Sequence, residues 1–84
     1  PRLVPSLIHK IRSTTDLPII VYPNSGEDYD AANRSWRGSG ESWMNAIKAS
    51  IRAGATIVGG CCRIGPDRIQ RLRDWVDSEE WKAL

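Results

Sequence analysis

The chain has 84 residues, room for one small domain, and its 40% apolar and 26% charged content is that of a globular protein, not a disordered, collagenous or coiled-coil one. The net charge of +2 is diffuse: Arg2, Lys10 and Arg12 face Asp16 in residues 1–22, and acids balance bases over 23–62 and over 63–84, so no basic stripe tracks a phosphate backbone. The longest apolar run, Leu17 to Tyr22, falls short of the ~18 residues that span a bilayer, and no leader marks secretion; these readings predict a soluble, cytoplasmic chain that engages neither nucleic acid nor membrane.

The chain opens on Pro1-Arg2-Leu3 with no initiator Met, which we read as a piece of something longer. Val4, Leu7, Ile8 and Ile11 fall at i, i+3, i+4 and i+7, the stripe of an amphipathic helix over about 2–12. Ser13-Thr14-Thr15-Asp16 ends it, because these side chains bond local backbone. Leu17-Pro18-Ile19-Ile20-Val21-Tyr22 is apolar without alternation and rich in β-branched residues, the pattern of a parallel strand buried on both faces. From Pro23 to Glu41 no period is visible; Asn24-Ser25-Gly26 signals a turn, and a connection of this length is commonly functional or disordered, with Tyr29 and Trp36 arguing against plain disorder.

A second helix is predicted over 42–53, with Trp43, Ala46, Ile47 and Ile51 on one side, Ser39 or Ser42 capping its start and Gly54 at a left-handed C-cap. Ala55-Thr56-Ile57-Val58-Gly59-Gly60 reads as a second short strand, and Gly65-Pro66-Asp67 opens a third helix with stripe Ile69, Leu72 and Val76, Trp75 alongside. Strand–helix–strand order makes the two strands parallel, in an α/β fold. Two strands cannot close such a sheet, so residues 1–84 read as one fragment, helix–strand–helix–strand–helix, of about a quarter of a (β/α)8 barrel or as part of an open sheet.

In parallel α/β structures the loops that follow the strands share one end of the sheet, and ligands bind there. That rule brings Pro23-Asn24-Ser25-Gly26-Glu27 beside Gly59-Gly60-Cys61-Cys62-Arg63. Three readings of the cysteines stand at this point: two small buried hydrophobes, a vicinal disulfide, or a pair of soft thiolate ligands for zinc. Neighbouring side chains of a regular strand face opposite ways, so the metal pair needs a broken strand, which Gly59-Gly60 and Gly65-Pro66 provide. His9 lies off the first helix's apolar stripe and is expected to face solvent, and Glu27, Asp28 and Asp30 are candidate oxygen ligands that nothing in the spacing singles out. Asn24 and Glu27 are ordinary turn residues or parts of a site, while Trp36, Trp43, Trp75 and Trp81 are expected to pack.

Ile20-Val21-Tyr22-Pro23-Asn24-Ser25-Gly26-Glu27, followed by Gly54-Ala55-Thr56-Ile57-Val58-Gly59-Gly60-Cys61-Cys62-Arg63 with Trp36 and Trp43 between, resembles the C-terminal part of the homocysteine S-methyltransferase family. The resemblance implies the last quarter of a zinc-dependent (β/α)8 TIM barrel with Cys61 and Cys62 as metal ligands. It implies methyl transfer from a sulfonium donor, S-methylmethionine or S-adenosylmethionine, to the zinc-bound thiolate of L-homocysteine, giving methionine. In the family a third cysteine comes from a Gly-x-Asn-Cys element that would stand just before Pro1, so the chain alone is expected to be inactive. The loop carrying Asn24 and Glu27 lies over the site in the family, and substrate contact by these two is an expectation added here. The partners implied are homocysteine, the donor, and the rest of the barrel or self-association through open strand edges. The alternative is a non-catalytic α/β interaction module with structural cysteines.

Overall fold

The computed structural model describes residues 1–38 and 41–84; Ser39, one of the two expected helix caps, lies outside them. In chain order the elements are α1 (Val4–Arg12), β1 (Ile20–Val21), β2 (Asp28–Asp30), β3 (Ser35–Arg37), α2 (Glu41–Ala53), β4 (Ile57–Val58) and α3 (Pro66–Asp77), with a 3-10 turn at Glu80–Ala83. The fold is mixed α/β. Among the described residues no helix is long and apolar enough to cross a membrane.

Pro5 sits in the first turn of α1, where its missing N–H breaks no helical bond. The helix stops where Ser13 and Thr14 turn their hydroxyls onto the carbonyls of Lys10 and Ile11, at 2.6 and 2.8 Å. Helix α2 buries Trp43, Ala46, Ile47 and Ser50, a stripe at helical spacing. Ser50 takes the deep position expected of Ile51, which is half-buried; a buried hydroxyl is tolerable there because Ser50 Oγ donates to the Ala46 carbonyl at 2.6 Å. Ser42, the other expected cap, lies inside α2 and instead donates from Oγ to the Ser25 carbonyl at 3.2 Å, tying the helix to the loop after β1. Gly54 ends α2 at φ +121°, and a Cβ there would meet Arg12 Cδ at 2.8 Å. Gly65 and Pro66 start α3 as expected, Pro66 within the first turn.

β1 and β4 pair in parallel, Ile20 opposite Ile57 and Val21 opposite Val58. Regular strand is confined to two residues each, yet the ladder runs on: Gly59 N–H donates to Val21 O (2.9 Å) and Cys61 N–H to Pro23 O (3.1 Å). Ile8, Ile19, Val21 and Ala55 form one core under α1, and Trp43, Ile47 and Leu72 a second between α2 and α3, with Val58 touching both. Burial on both sheet faces does not hold: Ile19 and Val21 are buried, but Ile20 (58% exposed), Tyr22 (63%) and Ile57 (51%) are open, because the two cores cover one face. Leu7, Ile11 and Ile69 are likewise exposed members of their helical stripes.

The stretch read as a long connection without visible period contains an antiparallel hairpin, β2–β3, with Tyr29 opposite Trp36. Its turn is organised by Asp30, whose carboxylate accepts from the N–H groups of Ala32 (3.1 Å) and Asn33 (3.3 Å), from Asn33 Nδ2 (2.8 Å) and from Arg37 (2.7 Å). These bonds, the Asn33 side chain foremost, hold the Asp30 carboxyl below the usual range. Of the tryptophans, Trp43 packs fully and Trp75 partly, whereas Trp36 and Trp81 are exposed. Trp81 Nε1 donates to Val76 O at 3.1 Å and seats the C-terminal 3-10 turn on α3.

Candidate functional site

The parallel ladder delivers both post-strand loops to the same end of the sheet, and the cysteines sit where it gives out. The Ile64 N–H donates to Cys61 O at 3.2 Å, closing a four-residue turn with Arg63 in its third position at φ +67°. This is the type II pattern, whose third position favours glycine. Gly60 permits the bend before it: a Cβ there would lie 2.7 Å from Ile64 Cβ. The result is the broken strand that the sequence required.

Cys61 and Cys62 are both free and exposed, with Sγ atoms 4.0 Å apart. Both thiols are exposed in this segment, and their separation is about twice the ~2.05 Å of a disulfide. Two thiolates on one tetrahedral zinc, each ~2.3 Å from it, stand about 3.8 Å apart, so the pair has the spacing of two corners of such a site. Among the described residues no group of three or more His, Cys, Asp or Glu side chains gathers to hold an ion. His9 is exposed on α1, as expected.

Asn24 and Glu27 are drawn to this turn from 38 and 36 residues away in sequence. Asn24 Oδ1 accepts the Cys62 N–H at 3.0 Å, and the Ser25 N–H donates to Cys62 O at 3.0 Å, so Cys62 is gripped on both sides of its backbone. The Ser25 side chain is buried and its Oγ accepts the Glu27 N–H at 3.1 Å, setting the direction in which Glu27 leaves the loop. Glu27 places its carboxylate between Arg68 Nη2 (2.5 Å) and Arg63 Nη2 (3.4 Å). The Arg68 hydrogen bond is the main reason its carboxyl lies below the usual range; desolvation opposes it, and Arg63 adds to it.

Arg63 has a second partner, the Trp36 ring, with the guanidinium carbon 4.7 Å from the ring centroid. Trp36 in turn leans on Tyr29, centroids 5.1 Å apart at 60°. Trp43 Nε1 donates to Gly59 O at 3.3 Å, so the most deeply buried aromatic anchors the strand end that carries the cysteines. Sequence reasoning missed Arg68, Trp36 and Trp43 as members of this constellation. Arg68 reads as one charge of a mixed solvated helix face, and its partner lies 41 residues away. The single available hint was that Trp36 and Tyr29 are large aromatics in an otherwise polar stretch.

A family profile described as homocysteine S-methyltransferase matches residues 1–76. The chain is 43% identical over 77 residues to homocysteine S-methyltransferase YbgG of Bacillus subtilis (strain 168), covering 89% of the chain and 24% of that relative. It is 42% identical over 76 residues to a selenocysteine methyltransferase of Astragalus bisulcatus, covering 86% of the chain and 22% of the relative. It is 38% identical over 72 residues to a betaine-homocysteine S-methyltransferase of Drosophila melanogaster, with the same two coverages. The chain therefore spans about a quarter of the length of these curated relatives. No solved structure matches it.

Proposed function

The chain belongs to the homocysteine S-methyltransferase family, and from that membership we propose that it forms the C-terminal, metal-holding quarter of an enzyme that moves a methyl group from a sulfonium donor to L-homocysteine, yielding methionine. The observation that carries this reading is the pair of free thiols 4.0 Å apart on a strand-end turn. Cys61 and Cys62 would supply two sulfur ligands to zinc, and neither would attack substrate. When bound, zinc lowers the pKa of the homocysteine thiol, so that a nucleophilic thiolate exists near neutral pH. The homocysteine sulfur attacks the donor methyl in line, and the neutral thioether leaves easily because the donor sulfur begins positively charged.

This chain's own contribution is positional. Asn24 holds the Cys62 backbone, and Glu27, clamped by Arg68 and Arg63, holds the turn's far side. We place both at the border of the homocysteine pocket; their recorded bonds go to the cysteine turn, so they bear on substrate largely through where that turn puts the thiols. S-methylmethionine and S-adenosylmethionine both satisfy the sulfonium requirement. The open sheet face of Ile20, Tyr22 and Ile57 supports the barrel reading, since these side chains lie where the layered interior of a (β/α)8 barrel would enclose them. In the polypeptide as its gene encodes it, expressed without shortening, zinc bound at about one per molecule, and lost in Cys62→Ser together with methyl transfer to homocysteine, is the expected result. A folded, metal-free protein indifferent to that substitution would instead favour a non-catalytic α/β interaction module.

A further inference from the structure

We propose that Arg63 is a positioning residue that latches the β2–β3 hairpin onto the cysteine turn and thereby fixes where Cys61 and Cys62 present their thiols. Its metal-related half rests on the reading given under Proposed function; its hairpin half does not.

Three observations converge on it. Arg63 occupies the left-handed position of a type II turn, φ +67°, which residues bearing a Cβ adopt infrequently. Its guanidinium lies against the Trp36 ring, 4.7 Å to the centroid, while one nitrogen reaches the Glu27 carboxylate at 3.4 Å. A planar guanidinium can stack on a ring and still donate from its edge; an ammonium cannot do both with the same geometry. The hairpin also needs a tether. Its strands are three residues long, Tyr29 and Trp36 are 54% and 44% exposed, and a two-stranded hairpin is marginal in water by itself. The remainder of the turn is held from the opposite side, by Asn24 Oδ1 on the Cys62 N–H and by Arg68 Nη1 on the Arg63 carbonyl at 3.4 Å. Arg63 is thus where the turn grips the hairpin.

The test is made on the full chain with Arg63→Gly, which keeps the positive φ but removes the guanidinium, Arg63→Lys and Trp36→Leu. Trypsin cleavage after Arg34 and Arg37 reports hairpin release, and Co2+ titration, read by thiolate-to-metal absorption, reports the cysteine pair. An exposed cation–π contact together with a partly exposed ion pair predicts cleavage accelerated about fivefold in Arg63→Gly. Loss of a residue that orients ligands predicts Co2+ affinity lower by about tenfold. Trp36→Leu should reproduce both effects, Arg63→Lys should recover only part, and Arg63→Gly with Trp36→Leu combined should add little. Unchanged cleavage in both single variants, or fully additive effects in the double variant, would overturn the latch. Should the wild-type chain show no thiolate–cobalt absorption, the metal reading fails by itself, and the cleavage arm still decides the latch. If Arg63→Gly does not fold, Arg63→Lys and Trp36→Leu, singly and combined, carry the same comparison.

Discussion

Glu27, like Asp30, has a carboxyl whose chemistry is shifted by its surroundings. Its carboxylate is held by Arg68 first and Arg63 second, and its carboxyl lies below the ordinary value of 4.5. A group whose folded pKa is depressed contributes stability that is present above its unfolded pKa and is lost as pH falls through its folded one. Acidification from pH 5 to below pH 4 is therefore expected to loosen the Glu27–Arg68 tie. Amide hydrogen exchange of the hairpin, corrected for its intrinsic pH dependence, should lose protection over that window. Glu27→Gln should exchange rapidly throughout and show a flatter profile. Nothing in the local sequence around Glu27 announces this, since a glutamate after Asn-Ser-Gly looks like any loop residue until α3 brings Arg68 to it.

Among the elements, the helices were the most legible. Residues 43, 46, 47 and 50 or 51 recur at 3.6-residue spacing, and Gly54 and Gly65-Pro66 mark a helix end and a helix start by backbone chemistry. The hairpin was illegible for an equally physical reason. Its six strand residues are mostly exposed, so alternation between a wet and a dry face, which normally betrays a strand, has no dry face to report. Its fold is set by Asp30 and its four bonds, a turn device with a weak signature. Trp43 links element to site: it fills the α2–α3 core at 2% exposure and donates to Gly59 O just before the cysteines. Trp43→Ala is expected to cost about 3–5 kcal/mol by chemical denaturation. It should also weaken Co2+ binding, because the strand end loses its anchor.

For the molecule as a whole, the decisive feature is the uncovered face of the β1–β4 pair. Ile20, Tyr22 and Ile57 are each more than half exposed, and Leu3 just before α1 with Leu7 and Ile11 on it add further exposed apolar side chains. Apolar area of this kind is normally buried against further structure. We expect the 84-residue segment by itself to self-associate and to lack methyl transfer activity. Sedimentation velocity should show species above monomer mass that shift toward monomer in Ile20→Lys with Ile57→Lys. A stable monomer without these substitutions would count against the barrel reading.

Sequence by itself determined the helices, the two strands and their parallel pairing, the break that frees the cysteines, and the resemblance that proved to be family membership. Each of these is a local pattern or a topological rule acting over neighbouring elements. Only the tertiary structure decided that Asn24 grips Cys62, that Glu27 joins Arg68 to Arg63, that Arg63 meets Trp36, and that one sheet face stays open. Those contacts join residues 27 to 41 positions apart, and no periodicity or spacing in a linear chain encodes which distant charge or ring a folded backbone will bring within a few ångströms.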